Sequence, residues 1–446
     1  MSQKRRRRRS RLPRQPVATT VEKLTPEGRG LAHVEGKPTF IDYALPGEEI
    51  QFEYTRTSSK YDEGKAVEVL KPSKDRIQPE CSHFGVCGGC SLQHIAADIQ
   101  IQFKQQALLD HLQHLGNIQP ETVLKPLRGP TLAYRYKARL GVRYVEKKGK
   151  VLVGFREKAN SFIADLSLCK VLHASVGERI EQLGQLIMGL EARKHIPQIE
   201  VAISDDVTAL IFRHLEPLSD DDRQSLADFA RAENIDILLQ AGGPDTVEPL
   251  WPEQRQRLFY SLPQHDVRIE FQPTDFTQVN PVLNEKMINQ ALEFMDLGSS
   301  DRVLDLFCGL GNFTLPMARL SKHVTGVEGA EVMVVKAREN AAANDIANVE
   351  FFAADLSTDI TGQPWLQQSY DKILLDPPRS GAMEMLHHLG KLRAECIVYV
   401  SCNPVTLARD TNILVNQYGY KLKSAGVMDM FPHTAHVESM AVFELG

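Results

Sequence analysis

Hydrophobic and polar positions change period along the chain, and the changes mark its parts. From Val17 to about Lys74 they alternate in short runs, among them Phe40-Ile41-Asp42-Tyr43, Glu49-Ile50-Gln51-Phe52-Glu53-Tyr54 and Ala66-Val67-Glu68-Val69-Leu70. Turns at Glu27-Gly28-Arg29-Gly30, Glu35-Gly36-Lys37-Pro38 and Leu45-Pro46-Gly47-Glu48 separate the runs, which predicts a small antiparallel barrel. Ile99 to Leu115 switches to helical spacing, with Phe103, Leu108, Leu109 and Leu112 on its apolar side, and predicts a scaffold helix. From about Pro281 strands alternate with helices, which predicts an α/β domain built on a doubly wound parallel sheet. Its strands would be Arg302 to Phe307, His323 to Glu328, Val349 to Asp355 and Lys372 to Asp376. Ile397 to Val400 is β-branched and aromatic, suited to an inner strand, and Asn403-Pro404 ends it before a helix from Val405. The pattern divides the chain into a tail (1–16), a barrel (17–74), a mixed α+β central domain (75–270) and the doubly wound domain (271–446). Residues 145 to 270 carry no motif to which chemistry can be assigned.

Composition adds little to this, and charge adds one feature. At 446 residues and 42% hydrophobic, the chain has the composition of an ordinary soluble protein with room for two or three domains. No apolar run approaches the roughly 18 residues of a membrane span, and no apolar segment follows the basic N-terminus, so a cytoplasmic location is expected. The net charge is −5, yet Lys4, Arg5 to Arg9, Arg11 and Arg14 concentrate eight positive charges before the first apolar pattern. A tail of this kind buries nothing and suits a polyphosphate partner, or else serves only solubility.

Three stretches carry candidate chemistry. Cys81-x5-Cys87-x2-Cys90 is a glycine-bearing loop able to point several sulfurs at one centre, and Cys169 is the natural fourth ligand. The spacing indicates a metal site without separating zinc from iron; His83 and His94 could enter a zinc site. Tyr134 to Tyr144 interleaves aromatic and basic residues at strand spacing, offering stacking faces and phosphate donors, or a plain solvated sheet face. In the doubly wound domain, Asp305-x3-Gly309-x-Gly311 is a glycine-rich strand-to-helix turn, where the backbone admits a ligand at the sheet's switch point. Glu328 and Asp355 end the next two strands, placed to accept from ribose hydroxyls and an adenine amino group. Cys402 lies at the strand-to-helix junction Ser401-Cys402-Asn403-Pro404, where a helix N-terminus favours the thiolate.

The glycine turn resembles the first motif of S-adenosylmethionine-dependent methyltransferases, which implies a Rossmann-like catalytic domain. Asp376-Pro377-Pro378 also occurs in enzymes that methylate amino groups, but Arg379 stands where those carry an aromatic residue. That argues for a carbon target, which needs a nucleophile such as Cys402. Residues 22 to 70 resemble the TRAM domain, an oligonucleotide-binding (OB)-like barrel of RNA-modifying enzymes.

Asp305 to Asn312, Asp376 to Arg379, Ser401 to Pro404 and Met430-Phe431-Pro432-His433-Thr434-x-His436-x-Glu438 together resemble the RNA 5-methyluridine methyltransferases over nearly the whole chain. With both a TRAM-like domain and a cysteine loop, the chain looks like the branch acting on uridine 1939 of bacterial 23S ribosomal RNA. The resemblance implies Cys402 as nucleophile and Glu438 as base. It implies Gln278, Phe307, Asn312, Glu328, Asp355 and Asp376 around S-adenosylmethionine. It further implies Cys81, Cys87, Cys90 and Cys169 as ligands of a 4Fe-4S cluster in the central domain and a helix near 96–116 packed on the catalytic domain; a monomer is expected. Phe276 is the candidate to pack beside the target base. The rival is an RNA-binding assembly factor without turnover, which would not need both Cys402 and Glu438.

Overall fold

The computed structural model describes residues 12–13, 15–158, 160–254, 257–358 and 360–446; the eight basic residues from Lys4 to Arg14 lie outside them. The chain forms two compact units, one holding the described residues as far as Gln102 together with His433–Ala435, the other Phe103–Pro432 with His436–Gly446.

In the first unit the alternating runs form β1 (Val17–Thr20), β2 (Lys23–Leu24), β3 (Gly30–Val34), β4 (Lys37–Asp42), β5 (Glu49–Thr57) and β6 (Asp62–Lys71). The sheet order is β1-β5-β6-β4-β3-β2. Only Val21 and Glu22 separate β1 from β2, so one stretch of chain pairs with both ends of this order and closes the sheet into a barrel, which removes its edges. Register shifts between β5 and β6 bend these long strands around Val21, Ala32, Ile41, Ala44, Ile50 and Phe52.

Fully buried Glu48 ties the segment after β6 to the barrel. Arg76 donates to its two carboxylate oxygens at 2.5 and 2.7 Å, and the amides of Leu45 and Ser73 donate at 2.8 and 3.1 Å. Burial alone would raise the proton affinity of Glu48; these donors outweigh it and hold the carboxyl below its usual range. Glu48→Gln should therefore cost about 3 kcal/mol, since it leaves Arg76 without its counter-charge. A depressed carboxyl pKa contributes stability above the ordinary carboxylate range that is lost as pH falls through the folded value. The deficit should show in urea midpoints at pH 7 and shrink in acid; equal midpoints at pH 7 would reject it. The cysteine loop lies on the same barrel, where Lys65 Nζ donates to the Gly85 carbonyl at 2.8 Å and the Tyr43 and Phe84 rings meet edge-on at 5.0 Å.

The second unit contains β7 (Thr122–Val123), β8 (Lys137–Val145), β9 (Lys150–Gly154), β10 (Gln198–Ile203), β11 (Thr208–Arg213), β12 (Asp236–Gln240) and β13 (Val247–Trp251). All but β7 form a sheet of order β13-β12-β11-β10-β8-β9, whose strands apart from β8 come from the stretch that carried no motif. A hairpin of β14 (Leu258–Leu262) and β15 (Val267–Phe271) follows. The doubly wound part comprises β16 (Arg302–Leu306), β17 (His323–Glu328), β18 (Val349–Ala353), β19 (Lys372–Leu375), β20 (Cys396–Ser401), β21 (Tyr420–Met428) and β22 (Glu438–Leu445). Its order is β18-β17-β16-β19-β20-β22-β21-β7.

From β18 to β20 the pairing is parallel, and the chain winds outward from β16 in both directions. The switch point therefore falls between β16 and β19, where such sheets take ligands beyond the carboxyl ends of their strands. The long antiparallel hairpin β21–β22 then completes the sheet beside β20.

The helix Ala97–Gly116 buries Leu108 and Leu112 as its spacing predicts. From Phe103 onward it packs on the end of β21: Gln105 accepts from the Val427 amide at 3.0 Å, and fully buried Lys104 donates to Asp429 Oδ1 at 2.7 Å and the Phe431 carbonyl at 2.9 Å. Among the described residues no helix is long and apolar enough to cross a membrane.

Candidate active site

The carboxyl edge of the parallel sheet collects the candidate residues. After β16, Phe307, Gly309 and Gly311 all take positive φ (66°, 55° and 95°), a turn that costs a non-glycine residue strain and is borne here by Phe307. Asp305 lies below the turn, buried, and accepts from the Thr314 hydroxyl in the following helix. Burial, with the Asp376 and Glu328 charges nearby, pushes its pKa up to about 8 despite that bond. Asp305 is thus a brace under the turn. Glu328, at the end of β17, accepts from the Gly309 amide at 3.1 Å and the Ala330 amide at 3.2 Å, which fixes its carboxylate over the turn. Asp355, just past β18, is exposed and accepts from the Ser357 amide and hydroxyl at 3.0 and 2.6 Å; these bonds lower its pKa.

Asn312 is more occupied than its motif suggests. Its amide exchanges two 2.9 Å bonds with Asn284 and accepts from the Tyr260 hydroxyl at 2.8 Å. No sequence motif marked Asn284 or Tyr260. Gln278 is half-buried in the loop between β15 and the helix Pro281–Met295, and Phe276 of the same loop is 73% exposed. Buried Asp275 holds that loop, accepting from the Gln272 amide and pairing with Lys336, while Lys137 of β8 donates to the carbonyls of Pro273 and Asp275. Lys137 is therefore a structural lysine and not a phosphate donor; burial lowers its pKa to about 8.

The turns after β19 and β20 are knitted together. Asn403 Nδ2 donates to the Arg379 carbonyl at 2.9 Å, and the Asn403 carboxamide oxygen caps the helix Pro404–Tyr418. Asp410 of that helix accepts from the Ala382 amide at 2.9 Å and the Tyr399 hydroxyl at 2.7 Å. Asp376 and Cys402 thus extend from neighbouring parallel strands at the same edge.

Glu438 arrives from the other side. Ser401 and Ser439 are the last pair of the β20–β22 ladder, so Cys402 follows Ser401 and Glu438 precedes Ser439 at that end of the ladder, and the Glu438 charge is among those acting on the thiol. Both are half-buried. Burial, with the Asp376 charge adding to it and Arg379 and Lys104 opposing it, pushes Glu438 up to about 8. Burial likewise raises Asp376 to about 7.

The expected depressed thiol pKa at Cys402 is corrected here. Burial and the carboxyls of Glu438 and Asp376 raise it to about 11, and Arg379 and the turn's own amide offset this only in part. Cys402 also precedes the helix's capping residue Asn403, outside the first turn where the dipole acts.

Cys81, Cys87 and Cys90 belong to the first unit and Cys169 to the second, and all four are half-buried. Among the described residues no group of three or more His, Cys, Asp or Glu side chains is arranged to hold a metal ion. In the Tyr134–Tyr144 run, Tyr134 is buried, donating to the Pro432 carbonyl at 3.1 Å, and Arg193 and Lys194 cover the Tyr144 ring, so neither offers a free stacking face.

A parallel sheet wound outward from β16, with acids at successive strand ends and a glycine turn at its switch point, is the fold of the S-adenosylmethionine-dependent methyltransferases. The family model for tRNA (uracil-5-)-methyltransferases matches residues 202–444, a TRAM domain model matches residues 11–67, and the chain belongs to the tRNA (uracil-5-)-methyltransferase family. Among its relatives, the 23S rRNA (uracil(1939)-C(5))-methyltransferase RlmD of Alcanivorax borkumensis is 54% identical, with 98% of each chain covered. The protein of the same name from Methylococcus capsulatus is 51% identical over 98% of this chain and 99% of its own. The crystal structure of Pyrococcus abyssi tRNA (uracil-54, C5)-methyltransferase in complex with S-adenosyl-L-homocysteine has the same fold, at a TM-score of 0.72 and 23% identity, covering 96% of this chain and all of that one.

Proposed function

We propose that the chain methylates carbon 5 of a single uridine in 23S ribosomal RNA, the counterpart of position 1939 in its relatives' names, through a covalent adduct with Cys402. The observation that carries this reading is that Cys402 and Glu438 both flank the last pair of the β20–β22 ladder, Ser401 with Ser439, at the carboxyl edge of the sheet. Carbon 5 of uracil is a weak nucleophile; addition of the Cys402 thiolate to carbon 6 places enolate density on carbon 5 and divides the barrier. Carbon 5 would then take the methyl group, the donor's S–CH3 bond breaking to leave S-adenosylhomocysteine; Glu438 removes the remaining proton from carbon 5, and the thiolate leaves carbon 6 as the double bond re-forms. Phe276, exposed on a braced loop, supplies an aromatic face for the base once it has left its stack.

S-adenosylmethionine supplies the methyl group and, when bound, a sulfonium charge that lowers the raised pKa values of the neighbouring acids and thiol. Gln278, Phe307, Asn312, Glu328, Asp355 and Asp376 would hold it. Glu328 and Asp355 keep acceptor capacity beyond the bonds they already make, and the Asn312 amide acts through its network with Asn284 and Tyr260. On this reading the protein acts as a monomer on RNA in the cytoplasm. Labelled S-adenosylmethionine incubated with unmodified 23S rRNA should yield 5-methyluridine at one position; labelled product of any other kind rejects the reading.

The same reading assigns Cys81, Cys87, Cys90 and Cys169 to a 4Fe-4S cluster. Its support is the spacing Cys81-x5-Cys87-x2-Cys90 with Cys169 as a fourth sulfur donor; no catalytic step passes through it. Anaerobically purified protein should be brown and contain about four iron and four sulfide per chain. Stoichiometric zinc without iron would reject the assignment.

A further inference from the structure

We propose that the open face of β8 and β9, with the loop after β9, is a second RNA-contact surface that takes single-stranded nucleotides leading away from the target uridine. The proposal rests on the RNA reading above and uses none of the residues assigned to chemistry. A groove of about 830 Å³ lies on this face.

Its strand starts at the catalytic end: Lys137 holds the loop that carries Phe276, and the Tyr136 amide donates to the Val279 carbonyl at 2.8 Å. From there alternation places Lys137, Arg139, Gly141 and Arg143 on one face over about 20 Å, while Ala138, Leu140 and Val142 point into the core. The floor is low where Gly141 pairs with Gly154, and Ile163 fills that space so closely that a Cβ at Gly141 would come within 2.3 Å of its Cδ1.

Next to Ile163, Phe162 is 69% exposed on a loop tied by the Glu157 amide to the Phe162 carbonyl and by the Phe162 amide to Asn160 Oδ1, each at 2.8 Å. Arg139, Arg143, Lys148 and Arg156 line the groove against the single carboxylate of Glu157. Arg139 is paired with Glu200 and Lys148 with Asp165, whereas Arg143 and Arg156 are exposed and make no ion pair among the described residues.

Unpaired guanidinium groups beside an exposed ring are the parts a single strand uses, charge for its phosphates and a face for a base. A protein partner would need an apolar core to its interface, and Phe162 is the one large apolar side chain among the lining residues that is exposed.

The test uses the full chain, with Arg143→Glu/Arg156→Glu and Phe162→Ala as separate variants whose folding is checked by thermal melts. Binding of unmodified 23S rRNA is measured across a salt series. The charge variant should bind about tenfold more weakly, with a salt slope lower by one to two; Phe162→Ala should bind about tenfold more weakly with the slope unchanged. Both should keep the wild-type kcat at saturating RNA with a raised KM. Unaltered affinity and slope in both variants overturn the proposal while leaving the function reading intact if wild type still methylates. A wild-type chain that neither binds nor methylates 23S rRNA overturns both. Variants that bind naked RNA normally but lose a ribosomal protein on co-sedimentation assign the groove to that protein and overturn the proposal.

Discussion

Replacing Cys402 with alanine should remove both methylation and covalent capture of RNA, leaving less than about one part in 10⁴ of the wild-type rate. The expectation follows from the chemistry of the target, because an unactivated uracil carbon 5 does not attack a methyl donor, and no other thiol is placed to activate it. Cys308 is buried under the glycine turn with its pKa pushed well up by burial, and Cys396 lies at the far end of β20. Folding should be preserved, since Cys402 is half-buried beyond the last paired residue of its strand. A denaturing gel with labelled S-adenosylmethionine and 23S rRNA distinguishes the outcomes. If Cys402→Ala still forms 5-methyluridine at an appreciable rate, covalent catalysis by this thiol is wrong. With the thiol raised to about 11 in the ligand-free protein, adduct formation by the wild type should also accelerate with pH across the neutral and alkaline range.

Local signals were legible in the sequence wherever the chemistry and the element coincided. The glycine turn, the acids ending β17 and β18 and the thiol ending β20 are each announced by a run of a few residues, and they meet because parallel winding sends every strand end to one edge. What stayed hidden depends on long-range pairing. Glu438 is brought to the end of β20 that carries Cys402 only through the β20–β22 pairing, which no local period reports. Lys104 falls on the buried side of an amphipathic helix where a lysine reads as solvent-facing; its burial makes sense only with Asp429, 325 residues away. Lys137 and Tyr134 read as parts of an RNA-facing stripe because strand spacing cannot say which neighbour will cover a side chain, and the loop of Pro273 to Asp275 and the Pro432 carbonyl claim them. The depressed thiol pKa failed for a related reason, since a helix start can be read from Asn403-Pro404 but the acids facing it from β19 and β22 cannot.

Glu438→Gln should separate methyl transfer from release. After transfer, carbon 5 carries both the methyl group and a proton while Cys402 is still bonded to carbon 6, so the base must be another side chain. Glu438 lies at the same end of the β20–β22 ladder as the thiol, and a positioned carboxylate contributes about 10²- to 10⁴-fold to such a step. The amide keeps the shape and removes the proton acceptor, so methylated RNA should accumulate covalently on the protein while turnover falls by about that factor. Its pH behaviour gives an independent check. With its pKa raised to about 8, Glu438 is largely protonated at pH 7 in the ligand-free protein, and its function as a base should grow as pH rises through about 8. For stability the sign runs the other way: a carboxyl whose folded pKa lies above its unfolded value stabilises the fold while protonated, and that contribution is lost as pH rises through the folded pKa. Glu438→Gln should therefore melt higher relative to wild type at pH 9 than at pH 5. Normal turnover without a trapped adduct would show that another group is the base. A melting difference that does not change between these pH values would show that the carboxyl is not held protonated by its burial.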